Sequence, residues 1–186
     1  MTRVQIAAYA VYGILGLALA ISVVTDLRTR KILNKITLPT ILLCLAARTV
    51  GGAWGTPTGP GLCSGLIGLA IGFGFFFVLN LMGGMGMGDV KLTAAVGAGV
   101  GFPGILACLV FIGLVGGGEA VAVLVWQGRL LGTLGGMLRG ALQKAKIVKP
   151  DTSVREKTKI PYGVAIALGT AWGVWWAASQ TALPSP

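Results

Sequence analysis

The sequence predicts an all-α polytopic membrane protein of about six transmembrane helices, one of them short, and three observations carry that prediction. First, 55% of the 186 residues are hydrophobic and the mean hydropathy is +0.86, far too apolar for a chain whose solvent is water. Second, residues 4–24, 49–88, 92–118 and 160–186 carry no charge, whereas a spanning helix needs about 20 apolar residues. Third, the basic residues gather where the apolar stretches break, as the connections of a multi-pass protein require.

Taken in order, the breaks place spans near 4–24, 36–54, 62–82, 92–102, 104–126 and 161–179. The first exceeds the roughly 7–15 residues of a signal-peptide core and no clear A-x-A site follows it, so it is read as a retained span. The fourth is too short to cross a hydrocarbon core alone. It ends at Phe102-Pro103-Gly104, where proline removes a helix donor and biases its predecessor away from helix. Gly68/Gly72, Gly97/Gly101 and Gly113/Gly117 have the small-xxx-small spacing that lets helix backbones approach, and all three are read as packing surfaces. The whole chain, 1–186, is read as a single integral-membrane domain.

Charge gives the orientation. Arg28, Arg30, Lys31, Lys35, Lys91, Arg129, Arg139, Lys144, Lys146, Lys149, Arg155, Lys157 and Lys159 fall on one side, which the positive-inside rule makes cytoplasmic. Arg3 and Arg48 are left toward the other face, with Arg48 expected to snorkel outward from the second span. Trp54, Trp172, Trp175 and Trp176 suit interfacial anchoring. Topology and anionic lipid account for the net charge of +10 without a nucleic-acid partner. Between Arg129 and Lys146, Leu130, Leu131, Leu134, Met137, Leu138, Ala141 and Leu142 recur with helical spacing. That pattern predicts a basic amphipathic helix on the inner leaflet, with an irregular basic loop as the alternative because Gly132, Gly135 and Gly136 interrupt it.

Absent residues narrow the chemistry. There is no histidine, which excludes Ser-His, Cys-His and zinc-His mechanisms. Cys44, Cys63 and Cys108 lie in or beside apolar segments with no C-x-x-C spacing and are read as small buried hydrophobes; no metal or organic cofactor is expected. Hydrolytic chemistry is left to carboxylates, of which there are five. Asp151 and Glu156 belong to the solvated basic loop. Asp26 directly follows the first span and Asp89 ends a glycine-rich stretch, so the topology brings both to one membrane face. Two neighbouring carboxylates resist ionising together and share a proton, which suits an aspartyl hydrolase. On charge and spacing alone, a tight glycine connection and a solvated flanking acid explain the same residues equally well.

The motifs weigh on that choice. Gly86-Met87-Gly88-Asp89 resembles the G-x-G-D signature of membrane aspartyl proteases, and 83–92 as a whole is similar to the prepilin peptidase version of it. Asp26-Leu27-Arg28-Thr29-Arg30-Lys31-Ile32-Leu33-Asn34 resembles that family's other catalytic region, an Asp followed by a basic stretch and Ile-Pro-Asn, with Leu33 standing where proline is usual. Ile160-Pro161-Tyr162-Gly163-Val164-Ala165-Ile166-Ala167-Leu168-Gly169 resembles its late segment.

The resemblance covers essentially the whole chain. It implies an aspartic endopeptidase of the bacterial inner membrane, with its active site at the cytoplasmic face, that removes leaders from type IV or Flp-type prepilins and pseudopilins. Asp26 and Asp89 inherit the catalytic roles, and Gly86, Gly88, Lys91, Asn34 and Pro161 become substrate-binding or supporting residues. Pilus or secretion machinery and membrane lipid are the implied partners, and the compact form resembles the Flp or tight-adherence branch. Larger members carry a cysteine-bearing region between the first two spans; the short Asp26 to Lys35 connection has no room for it, so N-methyltransferase activity is not expected. Glu119 has no place in these motifs and is read as a neutral packed acid, a partner for a basic side chain, or an accessory to the site. The rival readings are a small ion-coupled transporter using Asp26, Asp89 and Glu119, and a structural subunit of a pilus-assembly platform that needs no acid pair.

Overall fold

The computed structural model describes residues 2–29, 32–82, 85–126 and 162–182. Six helices are present among them: α1 (Arg3–Thr29), α2 (Asn34–Gly52), α3 (Leu62–Leu81), α4 (Met87–Val100), α5 (Gly104–Trp126) and α6 (Tyr162–Ala182), with no strand. They follow the predicted segments in order. α1, α2, α3 and the Gly104–Val123 part of α5 are long and apolar enough to cross a membrane, and large apolar side chains such as Leu17, Leu42, Val78 and Leu114 stand exposed on them as lipid-facing residues do. This is an all-α membrane protein. The predicted amphipathic stretch 129–146 and the acids Asp151 and Glu156 lie outside the described residues.

The chain divides into two compact units, Met1–Val115 with Pro161–Pro186, and Gly116–Ile160. In the first, α4 is the centre. Val90 and every residue from Leu92 to Gly99 are buried, packed with Leu15 and Leu19 of α1, Phe76 of α3, Ile105, Cys108 and Ile112 of α5 and Ile166 of α6. At 14 residues α4 is about 21 Å long, short of the roughly 30 Å hydrocarbon thickness.

Glycine sets how closely α3 and α4 approach. A Cβ on Gly97 would strike the Gly68 carbonyl, one on Gly68 would strike that of Gly97, and one on Gly72 would lie 2.7 Å from the Thr93 carbonyl oxygen. The small-residue reading holds for those pairs but not for Gly113/Gly117, which face open space among the described residues. α5 and α6 meet instead through the glycines of α6: Gly169 rests on Ile112 and Gly173 on Cys108, with Phe111 stacked on Trp172 at 5.5 Å. Spacing marks a small-residue stripe without saying whether lipid or a neighbouring helix covers it. Cys44 and Cys108 are buried as expected, and Cys63 is half-buried; all three are free thiols.

Two helix ends differ from the sequence reading in a way that affects the acids. α1 runs to Thr29 rather than 24, its last turn reinforced by Thr25 Oγ1 donating to the Ser22 carbonyl (3.0 Å) and Thr29 Oγ1 to that of Thr25 (2.7 Å). α4 begins at Met87 rather than 92, because Asp89 in its first turn accepts the Gly86 amide through Oδ2 (3.1 Å). Gly86 has no side chain to return the bond, so this is half of a capping box. Both acids are therefore held on helix ends, not on connecting loops.

Candidate active site

Asp26 and Asp89 come from the C-terminal turn of α1 and the N-terminal turn of α4, and the fold sets these ends side by side. Asp26 is only 6% exposed. Its Oδ2 accepts the backbone amide of Gly163 at 2.8 Å, across 137 positions of sequence. Gly163 is also the one residue type that fits, since a Cβ there would lie 2.8 Å from Asp26 Oδ2 and 3.2 Å from Cγ.

Asp89 is half-buried, in the short helix that does not span. Its carboxyl is raised from 3.8 to about 6, first because burial penalises the charge and further because Asp26 stands close; the Gly86 amide pulls the other way. Asp89 thus senses Asp26, and burial with that neighbour makes it keep a proton to higher pH than an ordinary carboxyl.

Around the pair, the α1–α2 corner is pressed onto the start of α4. Gly88 lies under Ile32, where a Cβ would come within 2.9 Å of the isoleucine Cβ, and Lys91 Nζ donates to Asn34 Oδ1 at 3.0 Å. Lys91 and Asn34 therefore spend their polar groups on joining two corners. The charge environment of Asp89 comes from its burial, from Asp26 and from backbone amides. Leu33 takes the turn without proline: its φ of −81° is within the range a proline ring allows, and its carbonyl accepts the amides of Ile36 (3.0 Å) and Thr37 (3.4 Å). Pro161 is outside the described residues. Glu119 lies half-buried on the last part of α5, in the Gly116–Ile160 unit.

Two supporting residues escaped the sequence reading. Gly163 belongs to the late segment, and nothing about one glycine among 31 marks its amide as a carboxylate ligand. Asn80 ends α3 and donates Nδ2 to the Met85 carbonyl at 2.7 Å, pinning the strand of chain that leads into the motif. Its signal was available: it is the polar residue in the otherwise apolar run Val78-Leu79-Asn80-Leu81-Met82.

Such a molecule is a polytopic helical membrane protein with a coupled, amide-held carboxylate pair where two helix ends meet. The chain belongs to the type IV leader peptidase family, whose model matches residues 13–137. It is 33% identical over 131 residues to the prepilin leader peptidase/N-methyltransferase of Burkholderia pseudomallei strain 1026b, and equally to that of strain K96243; the match takes in 67% of this chain. It spans 40% of the length of those relatives. No solved structure matches the chain. The family match lends nothing to the ion-coupled transporter reading.

Proposed function

We propose that this protein is an aspartic endopeptidase that removes the leader peptides of type IV or Flp-type prepilins and pseudopilins. In this reading it sits in the bacterial inner membrane with the carboxylate pair at the cytoplasmic face, where the clustered Lys and Arg residues of the sequence favour that orientation. The observation that carries the proposal is the pairing itself: two acids from the family's two motifs share one end of the fold, one buried and amide-held, the other pushed toward its protonated form.

The chemistry follows from that asymmetry. Ionised Asp26 accepts a proton from a water placed between the carboxyls while protonated Asp89 donates a hydrogen bond to the scissile carbonyl oxygen. The hydroxide equivalent adds to the carbonyl carbon, and the amine leaves with a proton returned by the pair. Gly86 and Gly88 leave the approach to Asp89 narrow in side-chain volume, and the Lys91–Asn34 bond keeps the corner over α4 in place. The exposed apolar helix faces suit a substrate helix lying against the spans, and the assembly machinery of a pilus or secretion system and surrounding lipid are the expected partners.

The test is co-expression with candidate prepilins, scoring leader removal for wild type, Asp26→Asn and Asp89→Asn at matched protein levels. Processing should vanish in both variants; a variant that still cleaves at the wild-type rate would sink the two-carboxylate mechanism.

A further inference from the structure

Arg48 was expected to reach outward to the membrane surface. It turns inward instead, to the buried C-terminal end of α4. Its Nη2 donates to the Val100 carbonyl at 2.8 Å, Nε to that of Gly99 at 3.3 Å and Nη1 to that of Gly61 at 3.5 Å. Beside it Ser64 Oγ donates to the Phe102 carbonyl (2.9 Å) while the Phe102 amide donates to the Ser64 carbonyl (3.1 Å).

The reason lies in the end of α4. A helix end leaves its last carbonyls without intrahelical partners, and any that face lipid find none there. The guanidinium satisfies several at once, and a cation at a helix C-terminus also matches the dipole. Gly101, at φ +74°, turns the chain directly under it, where a Cβ would strike Arg48 Nη2 and lie 2.6 Å from Ser64 Oγ. Arg48 also borders a cavity of about 260 Å³ shared with Tyr12, Pro60 and Phe102, so its charge is not sealed in apolar packing.

At the other end of the same helix stands Asp89, 11 residues or about 16 Å from Val100. Between the two ends α4 packs against large side chains such as Leu15, Leu19, Ile105 and Ile166, while along α3 Gly68 and Gly72 offer backbone rather than interlocking side chains. That glycine seam permits close approach but by itself resists sliding along the axis poorly. The polar contacts that define axial position sit at the ends.

We propose that Arg48 is a positioning residue for Asp89: by closing the far end of α4 it fixes the register of that helix and so holds the carboxyl beside Asp26. The inference rests on the two-carboxylate reading above. Among the described residues the charged group acting on Asp89 is Asp26 on α1; Lys91 is turned to Asn34 of α2, and α6 presents the Gly163 amide to Asp26.

The experiment compares full-length wild type, Arg48→Met and Arg48→Lys in detergent or vesicles, following kcat/KM for a prepilin against pH. Arg48→Met should lose at least about tenfold in kcat/KM per folded molecule. Its descending limb should move about one unit lower as Asp89 becomes hydrated and drifts from Asp26, and Arg48→Lys should recover part of both. If Arg48→Met lowers thermal stability yet keeps the wild-type rate and limb, the arginine is only a structural cap and the proposal is overturned. Should Arg48→Met fail to fold, Ser64→Ala removes the neighbouring bond more gently. It should show the same shift with a loss of about threefold, and an unchanged profile there overturns the proposal equally.

Carbodiimide labelling of Asp89 across pH, read by peptide mapping, reports its protonation without turnover. A downward shift of that curve in Arg48→Met supports the positioning role even if wild type cleaves no prepilin, an outcome that would sink the functional reading alone. Identical labelling curves in an active wild type and the variant count against the positioning role.

Discussion

Gly163→Ala perturbs the site through a single methyl group. The added carbon would lie 2.8 Å from Asp26 Oδ2 and 3.1 Å from its Cβ, where an ordinary contact begins near 3.4 Å. The carboxyl must therefore retreat by roughly 0.6 Å, stretching or breaking the 2.8 Å bond from the Gly163 amide. A displacement of about 1 Å costs on the order of a hundredfold in rate, and a hydrogen bond to a charged group is worth about 1.5–3 kcal/mol. Together these put the expected fall in kcat at about 10- to 100-fold. KM should barely change, because the methyl meets Asp26 and not the substrate. Alanine also gains about 1 kcal/mol of helix propensity over glycine, which offsets part of the clash in stability and keeps rate and folding separable. The assay is single-turnover leader cleavage in purified protein beside a thermal melt. Wild-type kcat in Gly163→Ala would refute the argument that this amide places Asp26, and a loss that tracks unfolding would refute the claim that it acts on the site.

Asp89 supplies a pH prediction with a defined sign. Its folded value, about 6, lies above the ordinary 3.8, so burial costs stability once the group must ionise. The penalty is absent below about 3.8, grows as pH rises to 6 and is complete above it. Asp89→Asn should therefore raise the thermal midpoint at pH 7.5 and leave it unchanged at pH 4, by an amount equivalent to about 1–2 kcal/mol after allowing for partial exposure. A midpoint that rises equally at both pH values would contradict this. Activity should fall in the same direction: loss of the Asp89 proton should lower kcat/KM of the wild type as pH climbs through about 6, measured on the free enzyme. Gly97→Val should cost the folded state about 3 kcal/mol or more, since its side chain would meet the Gly68 carbonyl, whereas Gly113→Val should cost less than about 0.5 kcal/mol; melts of the two variants check the contrast.

Helices were legible because lipid demands long apolar runs, and the order of α1 to α6 follows those runs closely. The juxtaposition of Asp26 and Asp89 was legible from topology, since an odd and an even helix end meet on one side. Helix boundaries at the polar edges were not. Glycines at 86 and 88 read as a loop, yet a carboxylate at the third position satisfies the opening amide and starts α4 early. Arg48 was misread because snorkelling is the usual escape for a cation near a membrane edge, and the sequence does not show that the carbonyls ending α4 lie within its reach. Gly163 was invisible as a ligand because a backbone amide has no letter in the sequence.

The bond between Gly163 and Asp26 also orders events in time. Synthesis delivers α1 before α6, so Asp26 is made long before the amide that holds it. Nascent chains that end between Asp89 and Gly163 carry both carboxyls without that restraint. Asp26 takes the position described above only once α6 has been made and has packed, so that helix completes the setting of the first carboxyl.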